Sequence, residues 1–318
     1  MSTLTTKRLF VLVLSATSLA VSLACAELLL RFFRPLGADG EPRRRPRPVW
    51  RELLHQRSAV PGLTYELAPN RREQSQGTMI RTNSFGMRDD EPRAAEGAPV
   101  RRIVVLGDSF TFGFGVRGDE TYPNVLERLL DAETHDARFE VLNLGVGGYS
   151  TRDEALVLEH KGMRWNPELV VVGYVLNDPE IDPVQPLHQH FREPTWWQRL
   201  ELGRLLASFE SSLAIAFFGK GDYYEYLHAR ERKWRSVVLG FERIGAIAGA
   251  RDVPVLVVIF PMTGKPWAEY PYRELHRKVA SLAREKRLEV LDLLDRYSSF
   301  PPGELIVAPG DSHPNELG

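Results

Sequence analysis

Ser109 stands in the stretch RIVVLGDSFTFGFGV (102–116), where four apolar residues run straight into Gly107-Asp108-Ser109. A serine hydroxyl becomes a nucleophile only when a base takes its proton and a third group orients that base. His313, in DSHPN, is the candidate base, and Asp311, two residues before it, is the candidate orienting carboxylate. Attack on a carbonyl also creates an oxyanion that needs N–H donors. The stretches NLGVGGYST (143–151) and GYVLNDP (173–179) offer glycine backbone and the Asn177 amide for that purpose. A competing pattern overlaps the serine: Gly113, Gly115 and Gly118 spell G-x-G-x-x-G. A dinucleotide site needs that triplet directly at a strand end, and an acid closing the next strand to hold the ribose. Here the first apolar run ends at Leu106, seven residues before Gly113, and the next closes on Asn143-Leu144-Gly145, so the dinucleotide pattern fails twice.

Each residue also has a plain alternative. Ser109 could be a helix N-cap with Asp108 a turn former, His313 a surface-loop residue before proline, and Asn177-Asp178-Pro179 an ordinary turn. Their order along the chain outweighs these separate readings. His188 and His190, in LHQH, lack a third ligand nearby and read as loop histidines of an insertion, not as a metal pair.

The elements that must position these groups follow from the hydropathy pattern. Five short runs, 102–106, 139–144, 168–176, 253–260 and 288–294, are apolar on nearly every residue, which predicts strands buried on both faces of a parallel sheet. Amphipathic stretches at 120–132, 151–164 and 272–287 separate them. The expectation is an α/β fold, three-layer α/β/α, with a mostly parallel five-stranded sheet. The connection between the third and fourth strands is oversized, and about 182–250 reads as a helical cap that includes a long helix from Tyr226 to Ala250. Apolar insertion residues such as Trp196, Trp197 and Leu213 to Phe218 read mainly as core, with acyl-chain contact as the less favoured role.

The N-terminal end is of another kind. After Lys7 and Arg8, residues 9–26 carry no charge, and the apolar run resumes after Glu27, long enough to cross a bilayer. Residues 1–33 therefore read as a single-pass N-terminal transmembrane anchor, with the remainder expected outside the cytoplasm. Ala24-Cys25-Ala26 would alternatively serve as a signal-peptide cleavage site, giving a secreted protein, and the arginines after the segment would alternatively keep the domain in the cytoplasm. Residues 34–61, rich in Arg and Pro, read as a linker, and 62–98 as a hairpin wrapped on the outside of the main domain, 62–318. The 10 Lys/Arg against 4 Asp/Glu in residues 1–60 belong to this arm, and the net charge of -1 over 318 residues argues against a nucleic-acid partner. With one cysteine, Cys25, the chain has neither a disulfide framework nor a thiolate zinc site.

The Gly107-Asp108-Ser109 block, the glycine block Asn143 to Thr151, the Asn177-Asp178 block and the Asp311/His313 block, in this order, resemble the SGNH hydrolases, the GDS(L) esterase and lipase superfamily, over residues 102–318. The resemblance implies the flavodoxin-like SGNH fold and a membrane-anchored bacterial type. It implies Ser109 as nucleophile, His313 as base and Asp311 as its partner. The Ser109 N–H, a glycine N–H (Gly148, with Gly145 as runner-up) and the Asn177 side chain would form the oxyanion hole. Three departures stand out: Phe110 replaces the family's leucine, the acid and base are spaced D-x-H where D-x-x-H is common, and a closing helix is expected beyond Gly318. The implied activity is hydrolysis of a small-molecule, glycan or lipid ester through an acyl-enzyme, without a cofactor. Alternatives are an envelope polysaccharide O-acetyltransferase using the same residues, or a catalytically silent glycan- or lipid-binding module.

Overall fold

The computed structural model describes residues 3–33, 53–75, 77–93, 100–134, 137–181, 191, 200–202 and 222–318. Two units are distinct, one formed by residues 1–47 with 192–217 and the other by 48–191 with 218–318.

In the first unit, helix α1 (Thr3–Phe33) contains the apolar span Phe10–Phe32, 23 residues with mean hydropathy 1.9 and nothing buried against protein. At 1.5 Å per residue that span is about 35 Å long, sufficient for a hydrocarbon core of about 30 Å. Glu27 falls inside it. Its carboxylate accepts from Arg31 Nε at 2.7 Å and from the backbone N–H groups of Glu201 and Leu202 at 3.0 and 2.9 Å.

The second unit is the α/β domain. Strands β5 (Val100–Gly107), β6 (Arg138–Asn143), β7 (Leu169–Tyr174), β8 (Val255–Ile259) and β9 (Glu289–Asp292) form one sheet, order β6-β5-β7-β8-β9, with every pairing parallel. Val104, Val105, Leu106, Val170, Val172, Val257 and Ile259 are fully buried, because a parallel sheet covered by helices leaves neither face to water. Helices α3 (Tyr122–Glu133), α4 (Thr151–Val157), α6 (Glu231–Gly249) and α7 (Arg273–Glu285) supply that cover, giving three α/β/α layers. The chain enters the sheet at β5, adds β6 on one side and returns to add β7 on the other. The strand order therefore reverses beside β5, which is where doubly wound sheets open a crevice at their carboxyl edge. Ser109 follows β5 directly.

Several elements differ from the sequence reading. The last strand is not buried on both faces: Glu289, Leu291 and Asp292 are exposed, as the outer edge position of β9 allows. The stretch 151–164 is not one helix, since α4 passes into a π-turn at Leu158–Gly162 and a 3-10 turn at Met163–Trp165. The long helix expected from Tyr226 divides at Arg230, whose extended backbone separates α5 (Tyr223–Ala229) from α6. Helix α6 is no cap. Val237, Phe241, Ile244 and Ala248 have zero exposure, and Gly240 lies so near Thr151 that a methyl group there would come within 2.9 Å of its carbonyl oxygen. Such packing makes α6 the crossover helix between β7 and β8. Of the other residues of the expected cap, His188, His190, Trp196, Trp197 and Phe217 lie outside the described residues.

The linker is also shorter than its composition implies. Leu54 is fully buried, and β1 (His55–Arg57) pairs antiparallel with β2 (Tyr65–Leu67). Strands β3 (Arg72–Ser75) and β4 (Thr78–Arg81) then form a second small antiparallel pair.

Candidate active site

Helix α2 is one turn, Ser109–Phe112, placed by the end of β5. Asp108 caps it, its carboxylate accepting the Phe110 N–H at 2.9 Å, so the acid of the Gly-Asp-Ser block stabilises the turn that presents the serine. The helix must stop at once, and Gly113 stops it in the left-handed conformation, φ 80°. Gly115, also at positive φ, packs against Val307 of the C-terminal loop. Gly113 and Gly115, two of the three G-x-G-x-x-G glycines, are thus turn devices behind Ser109. Arg88, 2% exposed, reaches this turn from the segment after β4 and donates to the carbonyls of Phe112, Gly113 and Val116. Burial pulls its guanidinium down to about 10.

His313 lies 204 positions from Ser109 in sequence, yet its Nε2 is 2.8 Å from the Ser109 Oγ. Its Nδ1 is 2.6 Å from Asp311 Oδ1. That carboxyl is opposed by its burial, but the His313 backbone N–H, the ring bond and the nearby imidazole outweigh it and hold the group below the ordinary carboxylate range. An ionised carboxylate only accepts, so Nδ1 carries the proton and Nε2 of the neutral ring is left to accept from Ser109. The D-x-H spacing works because Asp311 Oδ1 also accepts the His313 backbone N–H, at 2.9 Å, which closes the two residues into a tight local turn. The loop is tied down by Val307 N–H to the His313 carbonyl (3.0 Å) and by the Thr263 hydroxyl to the Ser312 carbonyl (2.6 Å). Phe114 and Phe110 flank the imidazole, with ring centroids 4.6 and 5.4 Å away.

The two glycine candidates separate cleanly. Gly145 spends its N–H on the Asn143 side chain at 3.0 Å and is squeezed against Thr111 and Phe112, so it is a packing residue and not a donor. Among the described residues nothing accepts from the Gly147 or Gly148 N–H. A methyl group on Gly147 would lie 3.8 Å from the Ser109 Cβ, which puts this part of the loop beside the serine. Asn177 approaches from the turn after β7, and its amide donates to Asp108 Oδ2 at 3.0 Å. That bond uses one amide hydrogen and leaves the second for another acceptor.

Beneath this surface lies a group of fully buried acids. Asp178 accepts the Thr151 hydroxyl at 2.8 Å and the Val175 N–H at 3.1 Å, clamping the turn that carries Asn177 to the start of α4. Glu154, one turn further along α4, has zero exposure and no hydrogen-bond partner for either carboxyl oxygen. Burial, with Asp178 and Asp108 close by, pushes Glu154 well above its ordinary value, and burial raises Asp178 and Asp108 as well.

Ser109, Asp311 and His313 meet in one hydrogen-bonded series, and Asn177 joins them through Asp108. Arg88, Phe114 and Glu154 were not anticipated. No local pattern marks Arg88 or Phe114, while Glu154 had a faint signal as a charge inside the amphipathic stretch after Thr151.

A serine, an imidazole and a carboxylate in hydrogen-bonded series, set at the carboxyl edge of a doubly wound parallel sheet beside a glycine loop and an asparagine turn, define the SGNH class of hydrolase domain. The family model described as GDSL-like Lipase/Acylhydrolase matches residues 105–318, and the chain belongs to that family. No curated protein sequence matches the chain. Similar solved structures include a two-domain esterase (CEX) active on acetylated mannans, 16% identical, covering 70% of this chain and 46% of that one, with TM-score 0.39. TesA is 15% identical over 68% of this chain and 91% of its own, TM-score 0.42. The lipase/acylhydrolase from Enterococcus faecalis is 20% identical over 69% and 89%, TM-score 0.39. The chain spans less than half the length of the two-domain esterase.

Proposed function

We propose that the protein hydrolyses carboxylic esters through an acyl-enzyme formed on Ser109. The observation that carries this reading is the placement of His313 between Ser109 Oγ, at 2.8 Å, and Asp311 Oδ1, at 2.6 Å. Ser109 Oγ attacks the ester carbonyl while its proton passes to His313 Nε2, and Asp311 stabilises the imidazolium so formed. The Ser109 and Gly148 N–H groups and the free amide hydrogen of Asn177 receive the oxyanion. The tetrahedral intermediate then expels the alcohol, which takes the proton from Nε2. Water repeats the sequence on the acyl-enzyme and releases the acid.

Ser109→Ala and His313→Ala should each lower turnover by on the order of a million-fold, without additivity, while the domain stays folded. The assay is hydrolysis of p-nitrophenyl esters of graded chain length, with fluorophosphonate labelling as a direct probe of serine activation. Near-normal hydrolysis by Ser109→Ala would remove the assignment. Labelling without hydrolysis, together with acyl transfer to a sugar hydroxyl, would move it to an acyltransferase.

The N-terminal helix is assigned in the same reading as a retained anchor, with the hydrolase domain outside the cytoplasm. Its support is the length and apolar character of Phe10–Phe32, 23 residues with mean hydropathy 1.9. Protease treatment of spheroplasts carrying a C-terminal tag decides the side, since a protected tag would place the domain in the cytoplasm. A mature N-terminus at Glu27 would identify a cleaved signal instead.

A further inference from the structure

The loop from Asn143 to Tyr149 has two sides. Gly147 approaches Ser109, whereas Gly145, Val146 and Tyr149 line a separate cavity of about 260 Å³ outside the carboxyl end of the edge strand β6. Its remaining wall comes from Glu66 and Leu67 of β2, from the segment after β4 and from α4 with its irregular end. Leu67, Met87, Leu144 and Val157 make the lining apolar. Lys161, Arg164 and Trp165 complete it, and they are delivered by the π-turn and 3-10 turn that replace the expected helix. Such π-insertions are rare and concentrate at functional sites.

The charge left over on these side chains is of one sign, and the Ser84 hydroxyl already donates to Glu91 at 2.7 Å. Glu66 is saturated: Oε1 accepts from Gln56 at 3.0 Å, and Oε2 accepts from Ser58 at 2.8 Å and Lys161 at 2.7 Å. Burial resists ionisation of that carboxyl, but the bonds from Lys161, Gln56 and Ser58 outweigh it and keep it below its usual value. Lys161 and Glu66 therefore cancel in charge. Tyr149 is committed to the Tyr65 carbonyl, and Asn143 to Thr111 and Gly145. Arg164 has no carboxylate partner among the described residues; its guanidinium sits 5.0 Å from the centroids of both Phe85 and Trp165. No acceptor meets the Trp165 indole N–H among the described residues either. What remains is a fixed positive charge and free donors above an apolar lining.

We propose that this cavity binds an aliphatic carboxylate, with its chain against Leu67, Met87, Leu144 and Val157 and its carboxylate on Arg164 and the Trp165 N–H. A sugar acid fits less well, because the guanidinium already occupies one face of each ring on which a pyranose would stack. The site is distinct from the serine, yet shares its glycine loop, so occupancy bears on the back of the segment that carries Gly148.

The test is calorimetric titration of hexanoate into the full chain in lipid nanodiscs, with empty nanodiscs subtracted. Saturable one-site binding is expected for the intact protein and equally for Ser109→Ala, which keeps this result independent of the catalytic assignment. Arg164→Gln should weaken it about tenfold to a hundredfold, the worth of a charge-assisted hydrogen bond, and hexanol should not saturate. Arg164 is exposed, so an unchanged melting temperature would attribute the loss to the site. Absence of saturable binding, equal binding by Arg164→Gln, equal binding of hexanol, or binding of glucuronate in place of hexanoate would each overturn the proposal.

Discussion

Replacing Glu154 by Gln should make the protein more stable, by an amount that grows with pH. Both oxygens of Glu154 are buried without a partner, and the groups that act on it, Asp178, Asp108 and Asp153, are all acids. The folded state therefore keeps this proton well above the pH at which the unfolded chain, with a glutamate value near 4.3, gives it up. A raised folded value means the contribution is whole below about pH 4.3 and is lost as pH rises towards that folded value. Within that window stability falls with each added pH unit, by on the order of 1 kcal/mol per unit. Glutamine has nearly the same shape and does not titrate. The stability difference between variant and wild type should widen by the same amount per unit, a few degrees in melting temperature for a domain of this size. Paired urea and thermal melts at pH 5, 6, 7 and 8 and constant ionic strength read it directly, because groups unchanged by the substitution cancel in the difference. A difference that stayed constant with pH would refute the reasoning, since Glu154 would then be ionised in the folded state.

Asn177→Ala should lower kcat by roughly 100- to 1,000-fold with KM nearly unchanged; a raised KM with intact kcat would make Asn177 a ground-state contact. Asp311→Asn should cost less than His313→Ala in steady-state kinetics, because the asparagine oxygen can still accept the His313 backbone N–H and hold the turn. Arg88→Met removes a guanidinium donor from three carbonyls, of which Gly113 keeps the Val116 N–H, and urea unfolding should register a loss of at least about 2 kcal/mol, together with weaker fluorophosphonate labelling as the turn behind Ser109 loosens. Phe241→Ala, at a fully buried position of α6, should cost about 3–5 kcal/mol in the same measurement, whereas a small loss would return α6 to the role of a peripheral cap.

The central sheet was legible because a buried parallel strand leaves a dense local mark: Arg102–Leu106 and Leu169–Tyr174 are apolar enough to be read without neighbours. Ser109, His313 and Asp311 could be picked out by their order, each following its own strand or loop, and the structure brings the three side chains into one hydrogen-bonded series. What escaped depends on partners far away in sequence. Nothing local shows that Leu54 is buried and His55–Arg57 pairs with β2, that Tyr223–Gly249 breaks at Arg230, or that Gly145 has lost its N–H to Asn143. β9 shows the reverse error, since LEVLDLL has the hydropathy of a core strand but occupies the sheet's edge, and edge position is a property of topology. Arg88 is invisible to patterning because a buried arginine is tolerated only where several carbonyls converge, and that convergence exists only in the folded chain.

The distance in sequence between Ser109 and His313 has a consequence for the timing of synthesis. A chain emerging from the ribosome completes β5, β6 and β7 long before the Asp311 turn has been made. Ser109 is then an ordinary alcohol, without the His313 imidazole that the proposed mechanism uses as its base. If the N-terminal helix is engaged by a membrane at that stage, the growing protein passes through its whole period of insertion chemically inert towards the esters around it. Under the proposed mechanism acid and base arrive together, two residues apart on one tight turn, so competence is switched on in a single late event.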